Sequence, residues 1–260
     1  TLTRSAPGPL ALKYHAMRIA LISDIHGNLE ALSAVMARID ETRPDEIWCL
    51  GDIVGYGADP SACIDLVRSR CSLVIAGNHD FAVTRDTIPA GYDTLPRAAL
   101  IWTRSRLATS DIDWLRSLPV SAQRSGCVAC HGALHQRYAY IDSDDEARLN
   151  LNLLTAQYPE ASILLCGHTH IKSWAGSNTR WKSFSSGTFF DWSEESRIMI
   201  NPGSVGQPRD RSPKASWALL DLAARSCEMN TASYEVGRAQ AKIIAAGLPH
   251  WLAERLASGN

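Results

Sequence analysis

The sequence predicts an α/β (α+β) fold in which two sheets pack face to face with helices outside. Two patterns carry this expectation. From Met17 to residue 166, short apolar runs of strand character alternate with segments whose apolar residues recur at helical spacing. After residue 196 the strand-like runs follow one another with shorter connections, which suits sheet-on-sheet packing under outer helices. No repeat, low-complexity stretch or linker interrupts the 260 residues, so 17–260 is expected to be one domain.

The elements follow in order. MRIALIS (17–23) is a continuous apolar run, the pattern of a buried strand. Leu29, Leu32, Val35, Met36 and Ile39 form a helical stripe behind Asn28, a suitable N-cap. EIWCL (46–50) is the second strand. Asp59-Pro60 opens a helix with a cap and a first-turn proline, and Ile64 and Val67 lie on its apolar face. SLVIAG (72–77) is the third strand. Helices are expected near 95–107 and 111–118, the second capped by Ser110 with Asp113 in the capping-box position. A strand at 126–130, a helix at 144–157 and a strand at 162–166 continue the alternation. Residues 172–196 read as irregular and aromatic-rich. RIMI (197–200), ASWALLD (215–221) and SCEMNTASYEV (226–236) are strands, and helices around 236–246 and 249–257 close the order. The first sixteen residues have no period and carry two prolines; they are expected to be a disordered leader or expression remnant ahead of Met17.

Composition excludes several classes. A net charge of −1 gives no strong nucleic-acid footprint, and no apolar run approaches the ~20 residues of a membrane span. Seven cysteines, mostly within apolar stretches, read as reduced thiols, and residues 1–16 lack the apolar core of a secretory signal, so a cytoplasmic location is expected.

Five strand ends carry clusters of ligand-type residues: Asp24-Ile-His26, Gly51-Asp52, Gly77-Asn78-His79-Asp80, His131-Gly132 and Gly167-His168-Thr-His170. Five of the eight histidines lie in them. Loops at strand ends converge on one sheet edge, and x-spaced pairs such as Asp24/His26 and His168/His170 put both side chains on one side of an extended segment. The count is seven candidate metal ligands: Asp24, His26, Asp52, Asn78, His131, His168 and His170. Seven exceed the needs of one tetrahedral ion and suit two divalent cations sharing a carboxylate. The mixed N/O set suits first-row divalent metals; Mn is expected first, with Fe, Zn, Co or Ni as alternatives. Such a site attracts phosphate and lowers the pKa of bound water. His79 is left free to protonate a leaving oxygen, oriented by Asp80.

The ordered set DIHGN, GDIVGYG, GNHD, HG and GHTH resembles the calcineurin-like metallophosphoesterase superfamily over nearly everything from Met17 onward, and NPGSVGQPRD (201–210) resembles its small bacterial and archaeal phosphoesterase branch. The resemblance implies a four-layer α/β/β/α sandwich of two packed mixed sheets. It also implies that Asp24, His26 and His170 hold one metal, that Asn78, His131 and His168 hold the other, and that Asp52 bridges them, with His79 as the acid. The implied activity is hydrolysis of small phosphate mono- or diesters, nucleotides among them, by attack of a metal-bridging hydroxide. Two departures count against the protein phosphatase branch. GDIVGYG lacks the arginine of G-D-x-V-D-R-G, and Asp80 stands where that branch has Glu. The missing arginine also disfavours symmetrical diadenosine tetraphosphatases. Arg209 could replace it as a phosphate contact.

Rival readings were a metal-free interaction scaffold, which should lack ligands, and a haem site at Cys127-x-x-Cys130-His131. The aromatics of 172–196 are expected to bury one another in a β-hairpin or a homo-oligomer contact, with nucleobase stacking as the alternative.

Overall fold

Strands that are apolar on both faces need a covering layer on each side, and the chain supplies these layers from itself. The computed structural model describes residues 17–260; the expected leader, 1–16, lies outside the described residues. The elements begin β1 (Arg18–Ile22), α1 (Leu29–Thr42), β2 (Glu46–Cys49), α2 (Pro60–Arg70), β3 (Leu73–Val74), α3 (Asn78–Val83), α4 (Thr94–Arg106) and α5 (Thr109–Ser117). Then come β4 (Ser121–Arg124), β5 (Cys127–Cys130), α6 (Asp144–Gln157), β6 (Ile163–Leu165), β7 (Lys172–Gly176), β8 (Lys182–Phe184) and β9 (Thr188–Asp191). The last are β10 (Ile198–Pro202), β11 (Ala215–Asp221), β12 (Ser226–Ala232), α7 (Val236–Ala245) and α8 (His250–Ser258).

One sheet has the order β3-β2-β1-β11-β12-β9 and the other β4-β5-β6-β10-β7-β8. Both are mixed. β1, β2 and β3 are parallel, as are β5, β6 and β10, and antiparallel strands complete each sheet. Strand alternation sorts the side chains. Ile19, Leu21 and Trp48 meet Ile163, Leu165 and Ile198 between the sheets. Ala20, Ile22 and Ile47 face Leu32, Val35 and Met36 of α1 on one outer side, while Leu164 and Met199 face Ala147, Leu151 and Leu154 of α6 on the other. The result is an α/β/β/α sandwich. Among the described residues no helix is long and apolar enough to cross a membrane.

Asn28 caps α1 as expected, its Oδ1 accepting from Ala31 N at 3.1 Å. Pro60 occupies the first turn of α2, but Asp59 makes no cap bond and receives Lys242 Nζ at 2.8 Å instead. The Ser110 cap is corrected. α5 starts at Thr109, its first carbonyl bond made by Ala108, and Ser110 and Asp113 lie inside the helix, where Asp113 pairs with Arg116. Two short elements escape the sequence reading: α3, which begins on Asn78, and β4, a polar edge strand on β5.

The stretch 172–196 is also corrected, from irregular to three strands. β7 and β8 form a hairpin in one sheet, and β9 crosses to the other beside β12. Their periodicity is obscured because β8 and most of β9 are exposed. Trp174 and Phe190 stack with centroids 4.4 Å apart, and with Trp192 they sit in the intersheet core. Mutual burial is their role, which removes these three rings from any base-stacking surface. Trp192→Ala is expected to lower unfolding free energy by ~3–5 kcal/mol in urea titrations, the usual cost of emptying a core aromatic site, while metal uptake per folded molecule stays constant.

Candidate metal centre

Parallel strands deliver their carboxyl ends to one edge of a sheet, and stacking the two sheets brings two such edges together. Asp24 and His26 follow β1, Asp52 follows β2, and Asn78 opens α3 after β3; His131 follows β5, and His168 and His170 follow β6. Asp24 Oδ1 lies 3.2 Å from His170 Nε2 and 3.8 Å from both His26 Nε2 and His131 Nε2. Asp52 Oδ2 lies 3.2 Å from His131 Nε2 and 3.6 Å from His26 Nε2. Asn78 and His168 line the same cavity, of about 190 Å³, as Asp52, His79 and His170. All seven candidates are therefore brought together. A separate cavity of about 420 Å³, between α6 and the β7–β8 hairpin, touches none of them.

The backbone is strained to do this. Asp24, His26, Asp52, His168 and His170 have φ of 54°, 51°, 54°, 68° and 62°. Non-glycine residues in this left-handed region cost about 1–3 kcal/mol each and persist where surrounding structure over-determines them.

The two carboxylates and four imidazoles each have one end tied to the main chain. Asp24 Oδ2 accepts from His168 N at 3.0 Å and Asp52 Oδ1 from His79 N at 2.8 Å, leaving one oxygen of each for the cluster. His26 Nδ1 faces Val54 O at 3.2 Å, His131 Nδ1 faces Leu50 O at 2.7 Å, His170 Nδ1 faces Gln207 O at 2.5 Å and His168 Nε2 faces Tyr138 O at 3.0 Å. A carbonyl only accepts, so these nitrogens donate and each imidazole turns its other nitrogen inward, as in histidines that ligate metals.

Charge is distributed unevenly. Burial opposes ionisation of Asp24 and Asp52, but the neighbouring histidines hold both carboxyls well below the usual range. Burial pushes His26 and His170 down, and His168 to about 4, so these rings are neutral. His131 is the exception: burial opposes its charging, yet Asp52 and Asp24 raise it to about 10. Its Nε2 is close to both carboxylates without hydrogen-bond alignment.

This donor set fits divalent cations. Asp24 Oδ1 and Asn78 Oδ1 are buried without a hydrogen-bond partner. The inward nitrogens of His26 and His170 stand 3.1 Å apart with both remote nitrogens already donating, so two lone pairs face each other. Buried polar atoms in that condition are costly unless something accepts their lone pairs.

The remaining candidates fall differently. His79 lines the cavity, its ring 4.5 Å from Tyr56 and 4.8 Å from His26; burial lowers it to about 4. Asp80 does not orient it. The Asp80 oxygens accept from Ile53 N, Val54 N and Gly77 N at 2.9, 3.2 and 3.0 Å, because adjacent residues on α3 point about 100° apart. Asp80 thus positions the Asp52 loop. Arg209 reaches the cavity rim and donates to Tyr140 Oη and Gln207 Oε1, both at 3.2 Å. Cys127 faces the intersheet core and Cys130 the outer core, opposite sides of β5, which rules out one haem bridging both.

Several contributors were not singled out from sequence. Tyr92 receives Asn78 Nδ2 at 3.2 Å and donates to Asn78 O at 2.7 Å, which leaves Asn78 Oδ1 facing the cavity. Asn201 donates to Gly167 O at 2.7 Å, and Ser204 to Asp24 O at 2.7 Å. A Cβ on Gly206 would come within 1.8 Å of Ile25 O. The signal was present in the glycine-rich NPGSVG turn, but a supporting turn and a binding turn look alike in sequence.

The chain matches the calcineurin-like phosphoesterase superfamily domain over residues 17–225. It is 33% identical over 251 residues to an uncharacterized protein of Methanocaldococcus jannaschii, covering 93% of this chain and 98% of that one. A crystal structure of a metallophosphoesterase from Sphaerobacter thermophilus is 36% identical, with a TM-score of 0.82 over 95% of this chain and 100% of that chain. A symmetrical bis(5′-nucleosyl)-tetraphosphatase of Pectobacterium carotovorum is 32% identical over 112 residues, 40% of this chain and 38% of that protein.

Two outcomes follow from this geometry. A Cβ on Gly77 would lie 2.1 Å from Asp52 Oδ1. Gly77→Ala should therefore displace the carboxylate and weaken Mn²⁺ binding at least about tenfold, the scale of disturbing a ligand's support, with far-UV circular dichroism retained. Because His131 is protonated in the metal-free site up to about pH 10, metal binding must expel that proton. Between pH 6 and 8 the apparent affinity should rise about tenfold per pH unit, with proton release measurable by calorimetry in buffers of different ionisation enthalpy; a pH-independent affinity would contradict the assignment.

Proposed function

The chain belongs to the calcineurin-like phosphoesterase superfamily and is a phosphoric ester hydrolase, and from that premise we propose that its substrates are small phosphate mono- or diesters, nucleotides among them. The proposed ligand sets are Asp24, His26 and His170 for one divalent cation and Asn78, His131 and His168 for a second, with Asp52 shared. The observation that carries this is the facing pair of bare nitrogens on His26 and His170 beside the unpartnered Asp24 Oδ1. When bound, such cations, with manganese the first candidate, supply Lewis-acid polarisation of the phosphoryl group and a water of near-neutral pKa.

The chain's own residues do the rest. Asp52 keeps one oxygen on His79 N, which couples the shared carboxylate to the start of α3. His79, neutral at pH 7, presents a ring N–H to the leaving oxygen, a role open to a neutral imidazole whose pKa burial has depressed. Tyr56 stands where the tetraphosphatase and protein phosphatase pattern has arginine, and burial pushes its hydroxyl up to about 12, so it brings no charge to the phosphate. Arg209 is the guanidinium at the rim. The partial matches named as tetraphosphatases support a nucleotide substrate, while Tyr56 argues against the same phosphate grip.

A screen of phosphate esters on Mn²⁺-loaded protein tests the reading: bis(p-nitrophenyl) phosphate should be cleaved with higher kcat/KM than phosphoserine peptides, and the reverse order would overturn it. Asp52→Asn and His79→Ala should fail in different ways. Asp52→Asn should lose metal, and His79→Ala should keep about two equivalents while losing ~10²–10⁴ in rate, the range for a positioned acid. The His79→Ala penalty should shrink for nitrophenyl leaving groups, which need little protonation.

A further inference from the structure

Helix α8 lies beyond residues 17–225, the part that matches the family domain, and it walls a groove of about 870 Å³. The groove opens from the metal-cluster cavity: Tyr56, Tyr140 and Arg209 line both spaces, and Trp251 and Arg255 line only the groove. The inner cavity, about 190 Å³, has room for a phosphoryl group, and the groove has the ~300–1,000 Å³ typical of small-molecule sites.

The groove's charge is unbalanced. Arg209 donates to a tyrosine hydroxyl and an amide oxygen, and its Nε is buried without a partner. Arg255 donates from Nε to the main-chain oxygen of Asn260, and its guanidinium lies 4.2 Å over the Trp251 ring. Arg209 meets no carboxylate, Arg255 meets only the oxygen of the exposed last residue, Asn260, and the one acidic residue lining the groove, Asp93, is exposed. Burial and the charge of Arg209 lower Arg255 to about 10, so both remain cationic at neutral pH while repelling each other. The Arg209 loop is firmly held: Arg209 N–H donates to His170 O at 3.2 Å, and the next residue, Asp210, forms a buried ion pair with Lys172, which also donates to Ser216 Oγ at 2.9 Å. A firmly held guanidinium without a counter-ion, Arg209, beside a second whose partner is an exposed chain-end oxygen, Arg255, forms a site for a polyanion, and an exposed indole beside them offers a face to a planar ring.

We propose that Arg255 and Trp251 of α8, together with Arg209, form a second phosphate subsite, so that the substrate is a nucleotide carrying another phosphate beside the one cleaved, its base against Trp251. This rests on the hydrolase reading above. The inner cavity takes the scissile phosphoryl group, the arginine pair takes the second phosphate, and the groove takes the nucleoside.

The test compares equilibrium binding of ADP and AMP, each as its non-hydrolysable methylene analogue, to the Mn²⁺-loaded full chain by titration calorimetry. The two ligands differ by one phosphate. Wild type should bind ADP at least about tenfold more tightly than AMP, the effect of one charge-assisted phosphate contact. Arg255→Gln should reduce that ratio to below about threefold, and Arg255→Lys, which keeps the charge but not the planar fork, should leave a ratio between those of Arg255→Gln and wild type. Trp251→Leu should weaken AMP and ADP by the same factor. Equal wild-type affinities, or an unchanged ratio in Arg255→Gln, would overturn the proposal, and loss of the ratio in both Arg255 variants alike would mark a purely structural role. Turnover of bis(p-nitrophenyl) phosphate is read separately. If ADP preference is present and turnover is absent, the hydrolase reading fails while the subsite stands.

Discussion

Two carboxylates and four imidazoles occupy a space almost closed to water, and the surrounding structure is arranged around the cost of keeping them there. Desolvation alone would protonate Asp24 and Asp52 or drive them apart. Main-chain groups prevent this by holding one end of each side chain: amides of His168 and His79 for the carboxylates, and carbonyls of Leu50, Val54, Tyr138 and Gln207 for the imidazoles. The remaining ends point inward, where a cation can accept lone pairs from both nitrogen and oxygen. His131, protonated in the metal-free site, partly substitutes for that cation.

The same requirement explains features that would otherwise look like defects. Five candidate ligands sit in the left-handed region, because a strand exit must turn sharply to bring its side chain back over the sheet edge. Gly77 and Gly206 leave room where a Cβ would collide with Asp52 Oδ1 and Ile25 O. Asp80 gives both oxygens to three amides of neighbouring loops rather than to His79. The large intersheet core, with Trp48, Trp174 and Trp192, keeps both edges rigid enough to hold this arrangement.

The groove and the metal cluster adjoin but draw on different parts of the chain. The cluster is built by loops within residues 17–225, and the groove's outer wall comes from α8, after them. On the proposed reading, changes on α8 alter recognition while the strand ends that carry the cluster stay untouched.

Much of this was legible before the fold was known. Apolar runs and helical stripes located most elements within a residue or two, because burial period is a local property of strands and helices. The spacing of Asp24, His26, Asp52, Asn78, His131, His168 and His170 marked the cluster, because each follows an apolar run that must end at a sheet edge. What the sequence could not show was anything decided by pairing between distant segments. The strands of 172–196 are defined by partners in two sheets, and Asp80 turns away from His79 because Ile53 N and Val54 N of the loop after β2 take one of its oxygens while Gly77 N of its own helix cap takes the other. The meeting of Arg209 with Arg255, 46 positions apart, likewise exists only because α8 folds back beside the metal cavity. Local periodicity determined which residues were available; long-range packing decided which of them face one another.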